Sequence, residues 1–260
     1  MYESIALTHQ DAVSTIRLAR PPFNLVTVEL LDELDRAFDE IEGRAEARAV
    51  IFTGTGERAF CAGADIKAGE VSSDDPTGRA LRDKGRAILA RMETFPKPIV
   101  AAVRGWCIGG GTGFAWICDI RIASETAKFR AGDVYLGIIP TWSMGMVRLA
   151  HFIGRNKALD LLLLGEDVDA ARALELGLVS RVVPDDRLDA EAMAVAERLA
   201  GGAPLAIRAI KEAVNTQYRE GPGAAAEAEE AWAQRIMPSA DAHEGFTAFL
   251  EKRKPVFRGE

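Results

Sequence analysis

The sequence predicts an α/β fold, and three observations carry that expectation. Short apolar runs of strand length recur along the first two thirds of the chain, separated by segments with helical spacing. Gly and Pro clusters punctuate the transitions. Strands joined through helices imply parallel pairing with right-handed crossovers. A length of 260 residues suits one such domain with a small helical extension.

The elements follow in order. Ile5, Leu7, Val13, Ile16 and Leu18 alternate about His9-Gln10-Asp11, which reads as a hairpin ended by Pro21-Pro22. Leu30, Leu31, Leu34, Phe38 and Ile41 then recur at helical spacing up to Gly43. Ala49-Val50-Ile51-Phe52 is a buried-strand run closed by the turn Thr53-Gly54-Thr55-Gly56. A second helix is expected from Arg79 to Thr94, before Pro96 and Pro98. Further strands are expected at Ile99–Val103, Ile120–Ala123 and Leu178–Val183. Beyond Asp185 the pattern is almost wholly helical: Leu188–Leu199, Leu205–Tyr218, Ala224–Ile236 and His243–Lys254. Gly69–Gly78 is polar and reads as a mobile loop, and no internal repeat is visible.

Composition excludes several classes. A hydrophobic share of 48% supplies a full core, while no apolar run approaches the ~18–20 residues that cross a bilayer. Met1-Tyr2-Glu3-Ser4 lacks the basic start and apolar stretch of a secretory signal. Cys61, Cys107 and Cys118 are odd in number and form no CxxC pair, so a reducing, cytoplasmic setting is expected. A net charge of −7 argues against a nucleic-acid binder. His9, His151 and His243 fit no catalytic or metal-ligand spacing. The local cluster Lys252-Arg253-Lys254 admits two readings: a phosphate contact, or cations placed at the negative end of a helix.

Two segments carry the chemistry. Ala59 to Lys67 follows a strand and turn; Gly105 to Gly113 follows another strand and leads into the apolar run Phe114–Cys118. Glycine lets a backbone turn sharply and approach a ligand. N–H groups at a helix start then face outward at a positive pole, and one well-placed donor lowers a barrier by about 3–4 kcal/mol. Each segment taken alone is a weak signal, and three consecutive glycines more often make a tight packing turn than a catalytic device. Gly109 to Gly113 lacks a P-loop ending and the acidic ribose ligand of a dinucleotide site.

Taken together, the segments resemble the crotonase (enoyl-CoA hydratase/isomerase) superfamily. The likeness runs through Arg20-Pro21-Pro22-Phe23-Asn24, Phe60 to Lys67, Gly105 to Ile120, and Phe129 with Leu136 to Pro140. It continues in Ala173 to Val179 and ends in Glu244-Gly245-Phe246 and Phe249 to Arg253. It implies a crotonase-type ββα spiral core over residues 1–185 and a helical C-terminal trimerisation region over 186–260. It also implies an acyl-CoA substrate, with coenzyme A entering as part of that substrate and no separate cofactor. The oxyanion hole would be the backbone N–H groups of Ala64 and Gly110. Ala62, Asp65 and Ile66 would receive the adenine, and Phe249 and Lys252 would reach the coenzyme A of a neighbouring subunit in a homotrimer or homohexamer.

The chain departs from the hydratase members of that superfamily. The first of their two water-holding glutamates falls on Gly113, and the second on Asp133. A position that is acidic in some isomerases is Thr141 here. One carboxylate is absent and the other is shorter, and a 1 Å misplacement can cost about 10²-fold in rate. Simple two-carboxylate hydration is therefore expected to be poor. Asp133 is the leading acid/base candidate, against the alternative of an ordinary turn aspartate beside Gly132; Glu70 and Asp65 rank below it. Trp106, Trp116, Tyr135, Trp142, Met144 and Met146 either fill the core or line a bulky acyl pocket. Isomerisation, decarboxylation and thioester hydrolysis need fewer carboxylates than water addition, and an acyl-CoA-binding protein without turnover is the rival from another class.

Overall fold

A computed structural model describes residues 2–66, 76–140 and 144–260. The N-terminal hairpin is β1 (Ile5–Gln10) and β2 (Val13–Leu18), joined by a two-residue turn in which Asp11 takes φ 49°. Helix α1 (Val28–Gly43) begins at Thr27, whose hydroxyl accepts from Leu30 N–H, and it buries Leu30, Leu34, Phe38 and Ile41 along one face. Its Glu33 is buried as well. That carboxylate accepts from the N–H groups of Glu3, Ser4 and Ile5, which fixes the start of β1.

The centre is a spiral in which successive strands enter two sheets alternately. β3 (Ala49–Gly54), β5 (Ile99–Val103) and β7 (Ile120–Ser124) run parallel in a six-stranded sheet of order β1-β2-β3-β5-β7-β10, where β10 is Arg181–Val183. Each is followed by a short strand of a second sheet: β4 (Ala59–Cys61), β6 (Trp106–Ile108) and β8 (Lys128–Arg130), with β9 (Val168–Asp169) antiparallel at the edge. Helix α2 (Pro76–Thr94) follows β4, and α3 (Gly110–Ile117) follows β6. β8 leads instead into a 3-10 turn, Asp133–Leu136. This is the α/β spiral that the resemblance implied. The expected hairpin and buried strands are present, except that Leu178–Ser180 precedes β10 as a connection.

The main core lies between the sheets and α1–α3, centred on Phe38, Phe52, Phe60, Phe114 and Phe129. Helices α4 (Met144–Ile153), α5 (Arg155–Leu164) and α6 (Ala170–Leu176) close one end. Helix α7 (Leu188–Ala200) covers the outer face of the large sheet, setting Leu188, Ala192 and Ala196 on Ala49, Val100 and Ile122. The region after residue 185 is thus not uniform, since its first helix belongs to the packing of the sheet. Helices α8 (Pro204–Glu220), α9 (Pro222–Ile236) and α10 (Ala240–Glu251) follow. The tail returns along α10, where Arg258 and Gly259 N–H donate to Asp241 and Val256 N–H donates to Glu244. Among the described residues no helix is long and apolar enough to cross a membrane.

Candidate functional site

β4, β6 and β8 are parallel neighbours, so the segments leaving their C-terminal ends emerge side by side. That edge is where α/β sheets generally gather ligands. Ala64, Gly110 and Asp133 each lie within three residues of one of those ends.

The first turn is held from both sides. Ala62 N–H donates to Phe23 O at 2.9 Å, Val26 N–H to Gly63 O at 2.9 Å, and Asp65 N–H to Val26 O at 3.0 Å. This pattern uses the Gly63 carbonyl before Ala64 and the Asp65 N–H after it, and Ala64 N–H itself meets no acceptor among the described residues. Gly63 takes φ 89°, and a β-carbon there would lie 3.1 Å from Ile108 O and 3.4 Å from Gly110 N. The first turn therefore lies directly against the second, and the positive φ at Gly63 is a conformation that favours glycine.

The second turn is tied to β8. Gly109, at φ 52° and ψ −119°, donates its N–H to Arg130 O at 3.1 Å. Gly110 opens α3, where the first N–H groups of a helix lack an intrahelical acceptor. Thr112 N–H turns back to Gly109 O at 3.0 Å, while Gly110 N–H finds no acceptor among the described residues. Two unused donors thus sit on touching turns, one of them at the positive pole of a helix.

Asp133 opens the third segment. Its Oδ1 lies 3.8 Å from where a β-carbon on Gly109 would stand. Its Oδ2 is buried without a hydrogen-bond partner among the described residues. Burial raises its pKa above the ordinary aspartate value, and its own backbone N–H offsets this only partly.

The remaining sequence-derived positions divide. Asp65 faces Arg20 Nη2 at 3.7 Å, and Arg20 also donates to Leu25 O at 2.9 Å. Ala62 is half-buried and Ile66 is exposed beside it. Phe249 (81% exposed) and Lys252, which caps α10 at φ 56°, lie on the outside of the last helix. Arg253 is held by Glu244 through contacts of 2.6 and 2.7 Å, while Lys252 and Lys254, equally exposed, form no ion pair among the described residues. Gly113 is buried on α3, facing Leu89 of α2. Glu70, Thr141 and Trp142, together with the side chains of Met144 and Met146, lie outside the described residues.

Three of the bulky residues fall in different surroundings. Trp116 belongs to the main core. Trp106 lies under the Lys128 and Arg130 cations, at 5.3 and 5.4 Å. Tyr135 is 71% exposed and lies against Gly165, so it does not wall in Asp133. In a 3-10 turn successive side chains point a third of a revolution apart, which sends Tyr135 away from Asp133. Sequence reasoning singled out neither Arg20 nor Leu89 as part of the site. A cation just before Pro-Pro was a visible signal for the first; the second is set by helix packing and had none.

The chain matches the sequence profile of the family described as Enoyl-CoA hydratase/isomerase over residues 8–260. It belongs to that family, and it is an enzyme of that family by its relatives. It is 36% identical to a probable enoyl-CoA hydratase of Bacillus subtilis, over 99% of both chains. It is 35% identical to the short-chain-enoyl-CoA hydratase of Clostridium acetobutylicum, over 96% of both. The crystal structure of an enoyl-CoA hydratase from Bacillus anthracis superposes with a TM-score of 0.94 at 35% identity, covering 99% of this chain and 100% of that one.

Proposed function

We propose that the enzyme acts on an acyl-CoA thioester by stabilising its enolate. The thioester oxygen accepts from Ala64 N–H and Gly110 N–H. When a proton leaves the carbon next to the carbonyl, negative charge moves onto that oxygen, and the two donors bind it more tightly than they bind the neutral carbonyl. Asp133 is the acid/base that carries the proton, its pKa raised by burial in the direction that favours proton transfer. The observation that carries the reading is the pair of unused N–H groups on touching turns beside a buried, unpartnered carboxylate oxygen.

Ala62, Asp65 and Ile66 are assigned to the adenine, with Arg20 steadying Asp65. Phe249 and Lys252 are assigned to the coenzyme A of an adjoining protomer in a trimer or hexamer, with residues 186–260 as the assembling region and α7 its anchor on the core. The exposure of Phe246, Phe249 and Leu250 on α10 supports that assembly, because a stable face of this kind is normally covered. The two-glutamate mode of water addition is not assigned here, since Gly113 carries no carboxylate. Double-bond isomerisation, decarboxylation or thioester hydrolysis share the enolate or oxyanion step and remain within the proposal.

The test is turnover of a panel of enoyl-, malonyl- and aryl-acetyl-CoA esters by wild type and by Ala64→Pro, which removes one donor. Turnover by wild type and its loss in the variant, with CoA-ester affinity retained, is the expected result. Tight binding of esters with none consumed makes the chain a binding protein instead.

A further inference from the structure

A second cavity, of about 460 Å³, lies at the opposite end of the spiral. It is bounded by Pro98 before β5, Asp119 before β7, the C-terminal end of α3, and helices α4 and α8. The candidate site lies beyond the C-terminal ends of the strands; this cavity adjoins their N-terminal ends. None of Ala62–Ile66, Gly109–Gly113 or Asp133 lines it.

Its polar groups are unbalanced in one direction. Trp116 Nε1–H and Arg148 Nε–H are both buried and meet no acceptor among the described residues, and both residues line the cavity. Trp116 is 2% exposed and Arg148 7%. Leaving a buried donor unpaired costs on the order of 1–3 kcal/mol, so each calls for an acceptor. The charges do not cancel either. Arg148 pairs with Glu93, and Lys211 pairs with Asp119 at 2.9 Å. Arg121 has no carboxylate within ion-pair distance among the described residues. It donates instead to the carbonyls of Leu178, at 2.6 Å, and Cys118, at 2.8 Å, and lies 4.6 Å from the Phe152 ring centroid. The carbonyls at the end of α3 offset part of that charge, and one formal positive charge remains. The other lining is apolar, including Phe152, Leu199 and Ile207.

We infer that this cavity is a binding site for a monocarboxylate with an apolar body, distinct from the thioester site. The carboxylate accepts from Trp116 Nε1–H and Arg148 Nε–H and supplies the missing negative charge. Its hydrocarbon part lies against Phe152, Leu199 and Ile207 under α8. The volume falls within the range usual for small-molecule sites. An inorganic oxyanion meets the same donors but leaves the apolar wall uncovered, so an amphipathic acid is favoured.

The experiment uses the full chain labelled with 5-fluorotryptophan and follows its ¹⁹F spectrum during titration with octanoate, with inorganic phosphate as a parallel arm. The chain holds 4 tryptophans, and Trp116→Phe identifies the signal of interest by its disappearance. Octanoate is expected to move the Trp116 signal saturably, while phosphate leaves it in place. Calorimetry is expected to show octanoate binding weakened about fivefold in Trp116→Phe, the usual worth of one hydrogen bond, and abolished in Ile207→Trp, which fills the cavity from α8. A Trp116 signal that does not move at millimolar octanoate overturns the inference, with water then satisfying the donors. Unchanged octanoate affinity in both variants overturns it too, and an equal response to phosphate replaces it with a simple oxyanion site. The result does not depend on what the thioester site does.

Discussion

Leu89 occupies the space a side chain at position 113 would enter: a β-carbon on Gly113 would lie 3.3 Å from Leu89 Cδ1. Leu89 is fully buried in the main core, so it has little room to yield. Gly113→Glu by itself is therefore expected to fail as a route to water addition. The longer side chain meets the α2 wall and costs about 1–3 kcal/mol by overpacking. Pairing it with Leu89→Val, which removes one methylene at roughly 1 kcal/mol, gives the carboxylate somewhere to go. Hydration of crotonyl-CoA should rise above wild type only in the double variant. An equal gain in the single variant would show that Leu89 does not control this space.

Asn24 supports the first turn from beneath. Its Nδ2 donates to the carbonyls of Thr55, Ala59 and Phe60 at 3.0, 2.8 and 3.2 Å, and its Oδ1 accepts from Arg20 N–H at 3.1 Å. It is buried and takes φ 50°, a conformation Asn tolerates better than most residues. Asn24→Ala strands these buried groups and should lower unfolding stability by about 2–3 kcal/mol in urea titration. Asn24→Asp should be worse, because it aims a carboxylate at three carbonyl oxygens. A fall in turnover larger than the loss of folded protein would tie Asn24 to the alignment of Ala64 N–H as well.

How legible the chain was depended on element length. The strands of the large sheet read clearly because five- or six-residue buried runs such as Ile99–Val103 carry their own signal. The second sheet did not, since β4, β6 and β8 have three residues each and β9 has two, too few to show a period. Their positions were visible only through the glycines that end β4 and β6, and those glycines were read for chemistry before any strand. Helix α5 was missed for another reason: Leu161–Leu164 is apolar all round, without the one-sided stripe that marks a surface helix. Ala64, Gly110 and Asp133 were found through family resemblance, and their shared edge comes from the register of β4, β6 and β8. The second cavity was illegible, because it is assembled from residues up to 120 positions apart.

Lys211 fastens α8 to the body of the protein. Its side chain, 8% exposed, pairs with Asp119 at 2.9 Å and also donates to Met92 O at 3.3 Å. Asp119 in turn accepts from Ile99 N–H at 2.7 Å, so the pair joins α8 to the start of β5. Asp119 is exposed on its outer side, so losing the lysine costs less than breaking a fully buried pair, on the order of 1 kcal/mol. Lys211→Met should speed amide exchange in α8 well before it does so in β3 or β5. Uniform acceleration across the whole chain would mean that α8 and the core unfold as one unit.

Asp133 links pH to both stability and rate. Burial raises its folded-state pKa, so the folded protein holds the proton more strongly than the unfolded chain does. The contribution to stability is fully present below the ordinary aspartate pKa and is lost as pH rises through the raised value. Above that raised value wild type carries an ionised, half-buried carboxylate whose Oδ2 has no partner among the described residues. Asn has no such charge to bury. Asp133→Asn is expected to melt at a higher temperature than wild type near pH 7, and the gap should close on acidification toward about pH 4, near the unperturbed aspartate value. The same substitution should remove most turnover while leaving CoA-ester affinity in place, since the adenine and phosphate contacts are assigned elsewhere. Melting curves across pH, measured beside turnover, separate the possible roles. A higher melting temperature with activity retained would make Asp133 a strained bystander and return the search for the acid to Glu70. Loss of activity together with a pH-independent melting difference would leave its catalytic role standing and remove burial as the cause of its tuning.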